Sequence, residues 1–158
     1  MKAQISTEYL IILGVAIAAI MPAGYFFYQY SSASNDQTIR GQVETIGKEI
    51  LVNAESVYGL AEGSLVSLDV KYPDTIKDIY ILNFKELIIK YELSTGITES
   101  VFFSKVALSG NKTYPRLAIE PPVVLPLENS TFEYTEDPKG KKTIRFESKT
   151  SYVLITTQ

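Results

Sequence analysis

Glu8 is the one charged residue between Lys2 and Asp36, and it stands at the lip of an apolar run that extends over residues 9–28. A carboxylate is costly to take into a bilayer, about 2.5 to 3.5 kcal/mol at mid-membrane and less near the interface. A segment needed only as an anchor would gain nothing from it. The chemistry open to such a group is electrostatic: in a low-dielectric setting it attracts an amine strongly, and a pair set out of register strands a charge. If the peptide bond after Ala3 were cut, Gln4 would carry a new α-ammonium and Glu8 would become the fifth residue, one helical turn along. A neighbouring copy's amine meeting Glu8 would then fix the register of stacked, identical helices.

Other chemistries are excluded by composition. The chain has no Cys and no His, so disulfides, thiolate chemistry, Ser-His-Asp triads, Cys-His dyads and the usual zinc sites are all ruled out. No motif for nucleotide binding, metal binding or covalent catalysis is present, so the expectation is a non-enzymatic protein with no cofactor and no metal. The net charge is -3 and the pI about 5.1. Lys and Arg are scattered, which leaves no basic footprint for a phosphate backbone and argues against a nucleic-acid partner.

Two N-glycosylation sequons are present, Asn111-Lys112-Thr113 and Asn129-Ser130-Thr131, both in predicted loops. With five Asn and roughly one residue in six Ser or Thr, about one sequon is expected by chance. Asn111 and Asn129 are both candidate glycan acceptors. The 11 Tyr could line an adhesive surface or fill the core and sheet faces.

Residues 4–30 read as a hydrophobic helix long enough to cross a bilayer. Leu10, Ile11, Ile12, Leu13, Val15, Ile17, Ile20 and Met21 cover all its sides, as for a helix surrounded by apolar material. Gly14, Ala16, Ala18, Ala19, Ala23 and Gly24 are small enough for helix backbones to approach closely. Pro22 is expected to kink the helix, which a membrane or a bundle tolerates. The cluster Tyr25, Phe26, Phe27, Tyr28 and Tyr30 suits either an aromatic belt at the membrane interface or a packing layer between subunits.

Residues 31–36 are a polar break at which the helix either bends or passes through exposed. Over 31–60 the pattern is amphipathic: Ile39, Val43, Ile46, Ile50, Leu51, Ala54, Val57 and Tyr58 form one stripe, opposite Arg40, Gln42, Glu44, Lys48, Glu49 and Glu55. Gly41 and Gly47 each cost about 1 kcal/mol against Ala in a helix, which points to close packing or bending at both. A helix over residues 4–58 would be about 80 Å long at 1.5 Å per residue.

After Gly59 and Gly63 the period changes from 3.6 to 2. Val66, Leu68, Val70 and Tyr72 alternate with Ser67, Asp69 and Lys71 up to Pro73, and Leu87, Ile89, Tyr91 and Leu93 alternate with Ile88, Lys90 and Glu92. Ser94-Thr95-Gly96 reads as a hairpin connection into 97–106. Pro115, Pro121, Pro122 and Pro126 mark loop or edge strand, Asp137-Pro138-Lys139-Gly140 a type I turn between strands at 131–135 and 143–147, and 152–156 a last strand. About 125 residues beyond the anchor suffice for one domain. The fold expected is α+β: a long N-terminal helix kinked near Pro22, then an antiparallel β-sandwich head of about seven or eight strands over 61–158.

The first residues also carry a resemblance. Lys2-Ala3 followed by Gln4-Ile5-Ser6-Thr7-Glu8-Tyr9 and the apolar run resembles the class III signal peptide of archaeal type IV pilin-like proteins. The likeness covers about thirty residues. It differs from an ordinary secretory leader, which has a more basic start, a shorter apolar core and a small-residue cleavage site at its end. The resemblance implies a leader at 1–3, with Lys2 and Ala3 as recognition positions for a membrane prepilin peptidase and Gln4 as the mature terminus. Many members of the family have Gly where Ala3 stands. Glu8 would be the family's acidic fifth position. It further implies identical subunits in a helical filament, an assembly ATPase and a membrane platform protein as partners, with residence in the membrane before assembly and on the cell surface after it, for adhesion or surface attachment. A membrane-anchored surface receptor or minor subunit, and a secreted domain with a removed leader, are the alternatives.

Overall fold

Helix-forming residues run without an effective stop signal up to Gly59, and a single helix, α1 (Lys2–Tyr58), results. The structure, a computed structural model, describes residues 2–113, 130–133 and 140–157, with side chains for all of these but 2–6, 112, 113, 132 and 133. α1 is continuous through Pro22, which has no N–H to offer the preceding turn. The polar stretch at 31–36 is helical too and mostly exposed, so the chain passes through it. At the far end Gly59 and Leu60 donate backbone bonds to the carbonyls of Glu55 and Val57, closing the last turn.

The chain forms two compact units, Met1–Thr38 and Ile39–Gln158. In the second, the amphipathic stripe does what its spacing predicts: Ile39, Val43, Ile46, Ile50, Ala54 and Val57 are buried and Leu51 packs beside them. Tyr58, at the end of the same stripe, stays exposed.

Nine strands follow among the described residues: β1 (Leu65–Tyr72), β2 (Ile76–Leu82), β3 (Glu86–Leu93), β4 (Gly96–Phe103), β5 (Leu108–Gly110), β6 (Lys112–Thr113), β7 (Ser130–Glu133), β8 (Gly140–Ser148) and β9 (Val153–Thr157). They build two open sheets, ordered β1-β8-β9-β5 and β4-β3-β2-β7-β6. The fold is therefore α+β, one long helix followed by two antiparallel-rich sheets. The sheets are not antiparallel throughout, contrary to the sandwich expected: β5 pairs with β9 in parallel, Leu108 opposite Val153. A parallel pair needs a crossover, and the chain supplies one by leaving the first sheet after Gly110, entering the second at Lys112, and returning at β8. β7 and β8 belong to different sheets and do not pair, unlike the strands at 131–135 and 143–147 expected to be joined by a turn; residues 134–139 of that connection lie outside the described residues, as do Pro115, Pro121, Pro122 and Pro126.

Alternation along β1 and β3 holds. Val70 and Tyr72 are buried while Ser67, Asp69 and Lys71 are exposed, and Leu87, Ile89, Tyr91 and Leu93 face the core. That core unites the helix stripe with the inner faces of both sheets, including Val70, Ile79, Ile81, Ile144, Phe146, Val153 and Ile155. Ile88 breaks the pattern: it is buried on the other face of its sheet with Tyr80, against Leu82.

Two turns decide the register of the second sheet. Gly96 has φ +121°, a conformation L side chains rarely adopt, and lets β3 return directly into β4. Between β2 and β3, Asn83 and Phe84 have φ of 51° and 59° and Lys85 N–H donates to Leu82 O at 3.1 Å. Two successive positive φ angles define a type I′ turn, whose second position favours Gly and here holds a Phe. Backbone bonds from Ser104 N–H to Lys85 O and from Leu108 N–H to Phe84 O hold it from the side.

Gly41 and Gly47, the two glycines of the amphipathic part of the helix, differ. A Cβ on Gly41 would meet nothing within 4 Å, whereas one on Gly47 would lie 2.5 to 2.7 Å from three carbons of the Phe102 ring. Phe102 of β4 thus lies against bare helix backbone, and close packing explains Gly47 but not Gly41.

Candidate assembly surface

The first unit consists of helix alone. Leu10, Ile11, Ile12, Val15, Ile20 and Met21 are each more than 60% exposed, Leu13 and Ile17 more than 40%. The aromatic cluster is equally open: Tyr25, Phe26 and Phe27 are 60%, 68% and 74% exposed. An uncovered apolar surface of this extent suits contact with lipid or with other protein. The described helix from Thr7 is long and apolar enough to cross a membrane.

Local bonds in this segment organise the helix without covering it. Gln29 donates to the Tyr25 hydroxyl at 2.6 Å, one turn away. The Tyr25 and Phe26 rings meet edge to face, centroids 6.0 Å apart at 65°. Gly14 and Gly24 have open space where a Cβ would stand. They leave shallow spots where another helix backbone can approach.

Glu8 is exposed, and its carboxylate has no hydrogen bond or ion pair among the described residues. Lys2, Ala3 and Gln4 belong to the first turns of α1, their side chains outside those described. Glu8, Gly14, Pro22 and the aromatic cluster are thus strung along one helix, most of whose apolar side chains are exposed. As an arrangement, this surface can bind other apolar surfaces and one positive charge.

A second candidate, not visible in the sequence, lies in the other unit. Arg40, Glu44 and Lys48 of α1 and Tyr91, Ser100, Val101 and Phe102 of β3 and β4 line an open groove of about 480 Å³. Lys48 donates to Glu44 at 2.6 Å, and this hydrogen bond, with the attraction of its charge, holds the Glu44 carboxyl below the ordinary range. Tyr91 and Ser100 share a hydroxyl–hydroxyl bond of 3.0 Å. These groups are matched to one another, and no nucleophile stands against a general base here. Among the described residues no group of three or more Asp or Glu is placed to hold a metal.

Asn111 is exposed, between β5 and β6, and Asn129 lies outside the described residues. Comparison with family models, curated proteins and solved structures gives no match.

Proposed function

We propose that the chain is a pilin-like subunit of an archaeal type IV pilus-like surface filament that serves adhesion or surface attachment. The observation that carries this reading is the contrast along one helix. From Ile39 onward α1 buries a single stripe in its own core, and before that point it leaves apolar side chains exposed on all sides. The exposed part suits lipid first and copies of itself later, because both surroundings are apolar and the exchange costs little.

In this reading a prepilin peptidase recognises Lys2 and Ala3 and cuts before Gln4. The new α-ammonium then has a carboxylate waiting on a neighbouring subunit, Glu8, with which it pairs at low dielectric. A helix displaced along its neighbour leaves both charges without partners, so the pair selects one register. Gly14 and the other small residues allow close approach, Pro22 adjusts the path of the helix, and Tyr25, Phe26 and Phe27 form a packing layer. An assembly ATPase and a platform protein drive extraction from the membrane. The two sheets form a β-sandwich head on the filament's outer surface. The role is structural rather than catalytic.

Shearing filaments from cells and determining the mature terminus by mass spectrometry tests this directly. Abundant filaments built of chains that begin at Gln4 are expected. A chain absent from sheared filaments, or present at trace level, would instead be a membrane-anchored surface protein or minor subunit.

A further inference from the structure

We propose that the head accepts an N-linked glycan at Asn111 and not at Asn129. The two sequons are indistinguishable as sequence, but their described side chains stand in different surroundings, Asn111 in the first and Ser130 and Thr131 in the second. Asn111 is exposed, at the corner where the chain leaves β5 for β6, and its side chain has no hydrogen-bond partner among the described residues. Among those residues β5 and β6 are the edge strands of their sheets. Asn111 thus stands, exposed, where the described strand order of both sheets ends.

The second sequon ends inside the fold. Ser130 and Thr131 are both 0% exposed, in β7, which is paired on one side with β2 and on the other with β6. Thr131 Oγ1 donates to Ile79 O at 2.6 Å, and Ser130 Oγ accepts from Gly110 N–H at 2.7 Å. A motif that demands Ser or Thr two residues after Asn means that the transferase reads that hydroxyl. In the folded head the hydroxyl of Thr131 is buried and already engaged.

About one sequon is expected from composition alone, and the fold supplies its own reason for Ser130 and Thr131, which satisfy buried backbone groups. Among the described residues the Asn111 side chain has no such bond.

The chemistry is glycosyl transfer from an oligosaccharide linked through phosphate to a membrane lipid. Asn111 Nδ2 forms a bond to C1 of the first sugar, the bond from C1 to the phosphate oxygen breaks, and the lipid phosphate leaves with the amide proton. A glycan there stands at the edges remote from β1 and β4 in the strand order, away from the contact of Phe102 with α1. The proposal rests only on that part of the proposed function that puts the head outside the cell.

The sequons fall in different tryptic peptides, 106–112 and 117–139. Mass spectrometry of the full chain purified from its own cells should find a glycan on 106–112, or on 106–116 where the glycan blocks cleavage at Lys112, and none on 117–139. Asn111→Gln should abolish the mass increment and Asn129→Gln should leave it unchanged. A bare Asn111, or a glycan on 117–139, overturns the proposal. The same digest reports the mature terminus, so a bare Asn111 beside an intact Gln4 terminus sinks this inference alone. A modified Asn111 beside a different terminus sinks the filament reading alone.

Discussion

Replacing Gly47 with Ala sets two opposing effects against each other, and the structure says which wins. An Ala in a helix interior is about 1 kcal/mol better than a Gly, so on propensity alone the variant should be more stable. Its Cβ, however, would stand 2.5, 2.5 and 2.7 Å from three carbons of the Phe102 ring, where ordinary carbon contacts are about 3.5 to 4.0 Å. The ring or the helix must move by about 1 Å, and inserting a methyl into a packed contact costs about 1 to 3 kcal/mol. The net expectation is a loss of about 1 kcal/mol, or about 4 °C in melting temperature for a unit of this size. Gly41→Ala is the matched control. Nothing lies within 4 Å of its added Cβ, so it should gain up to about 1 kcal/mol. In a Phe102→Ala background the steric cost disappears and Gly47→Ala should become stabilising, a reversal of sign that a double-mutant cycle isolates. Thermal unfolding of the full chain in detergent, followed by circular dichroism in the β region, measures all four variants. If Gly47→Ala raises the melting temperature as much as Gly41→Ala does, the ring does not lie on the helix and the account of this contact is wrong.

Three further outcomes are expected. Glu8→Gln should leave membrane insertion and cleavage before Gln4 intact while filament yield falls at least tenfold; normal yield of sheared filaments would remove the register argument. Asp69 accepts hydrogen bonds from Lys141 and Thr143, and these bonds, with the Lys141 charge, hold its carboxyl below the ordinary range. A depressed native value means the unfolded chain binds the proton more readily. The stabilisation is thus present above about pH 4, the ordinary value, and is lost as pH falls through the native one. Melting curves on acidification should fall less steeply for Asp69→Asn than for the parent, and identical slopes would refute the linkage. Thr131→Val, which removes the bond to Ile79 O but keeps the shape, should destabilise the head by about 1 to 2 kcal/mol in a denaturant titration, since it takes a buried bond from a central strand.

Much of this architecture was legible in one dimension, because a segment that is uniform or one-sided in its surroundings carries that pattern in its own residues. Residues 9–28 show an unbroken apolar run, and 39–57 show a stripe at helical spacing that the head buries. β1 and β3 show alternation because each has one face toward the core. Glu8 stood out for the same reason, as one charge against an apolar background.

What escaped is whatever depends on a distant segment. Ile88 looks like a solvent-facing residue until Tyr80 and Leu82 cover it. Phe84 gives no sign of a left-handed turn, since an Asn-Gly pair would have announced what Asn83-Phe84 conceals, and the turn is held by bonds from Ser104 and Leu108. β5 and β6 are too short to show a period, and the parallel pairing of β5 with β9 joins strands far apart in the chain.

The local sequence was therefore sufficient for the helix, the change of period after Gly59 and the single carboxylate, because hydropathy and charge act on neighbours along the chain. Gly47 and Gly41 have the same residue type, and so do Asn111 and Asn129. What separates each pair is a ring arriving from β4 in the first case and the bonds of β7 with Ile79 and Gly110 in the second, and no local pattern records which surface the rest of the chain will cover.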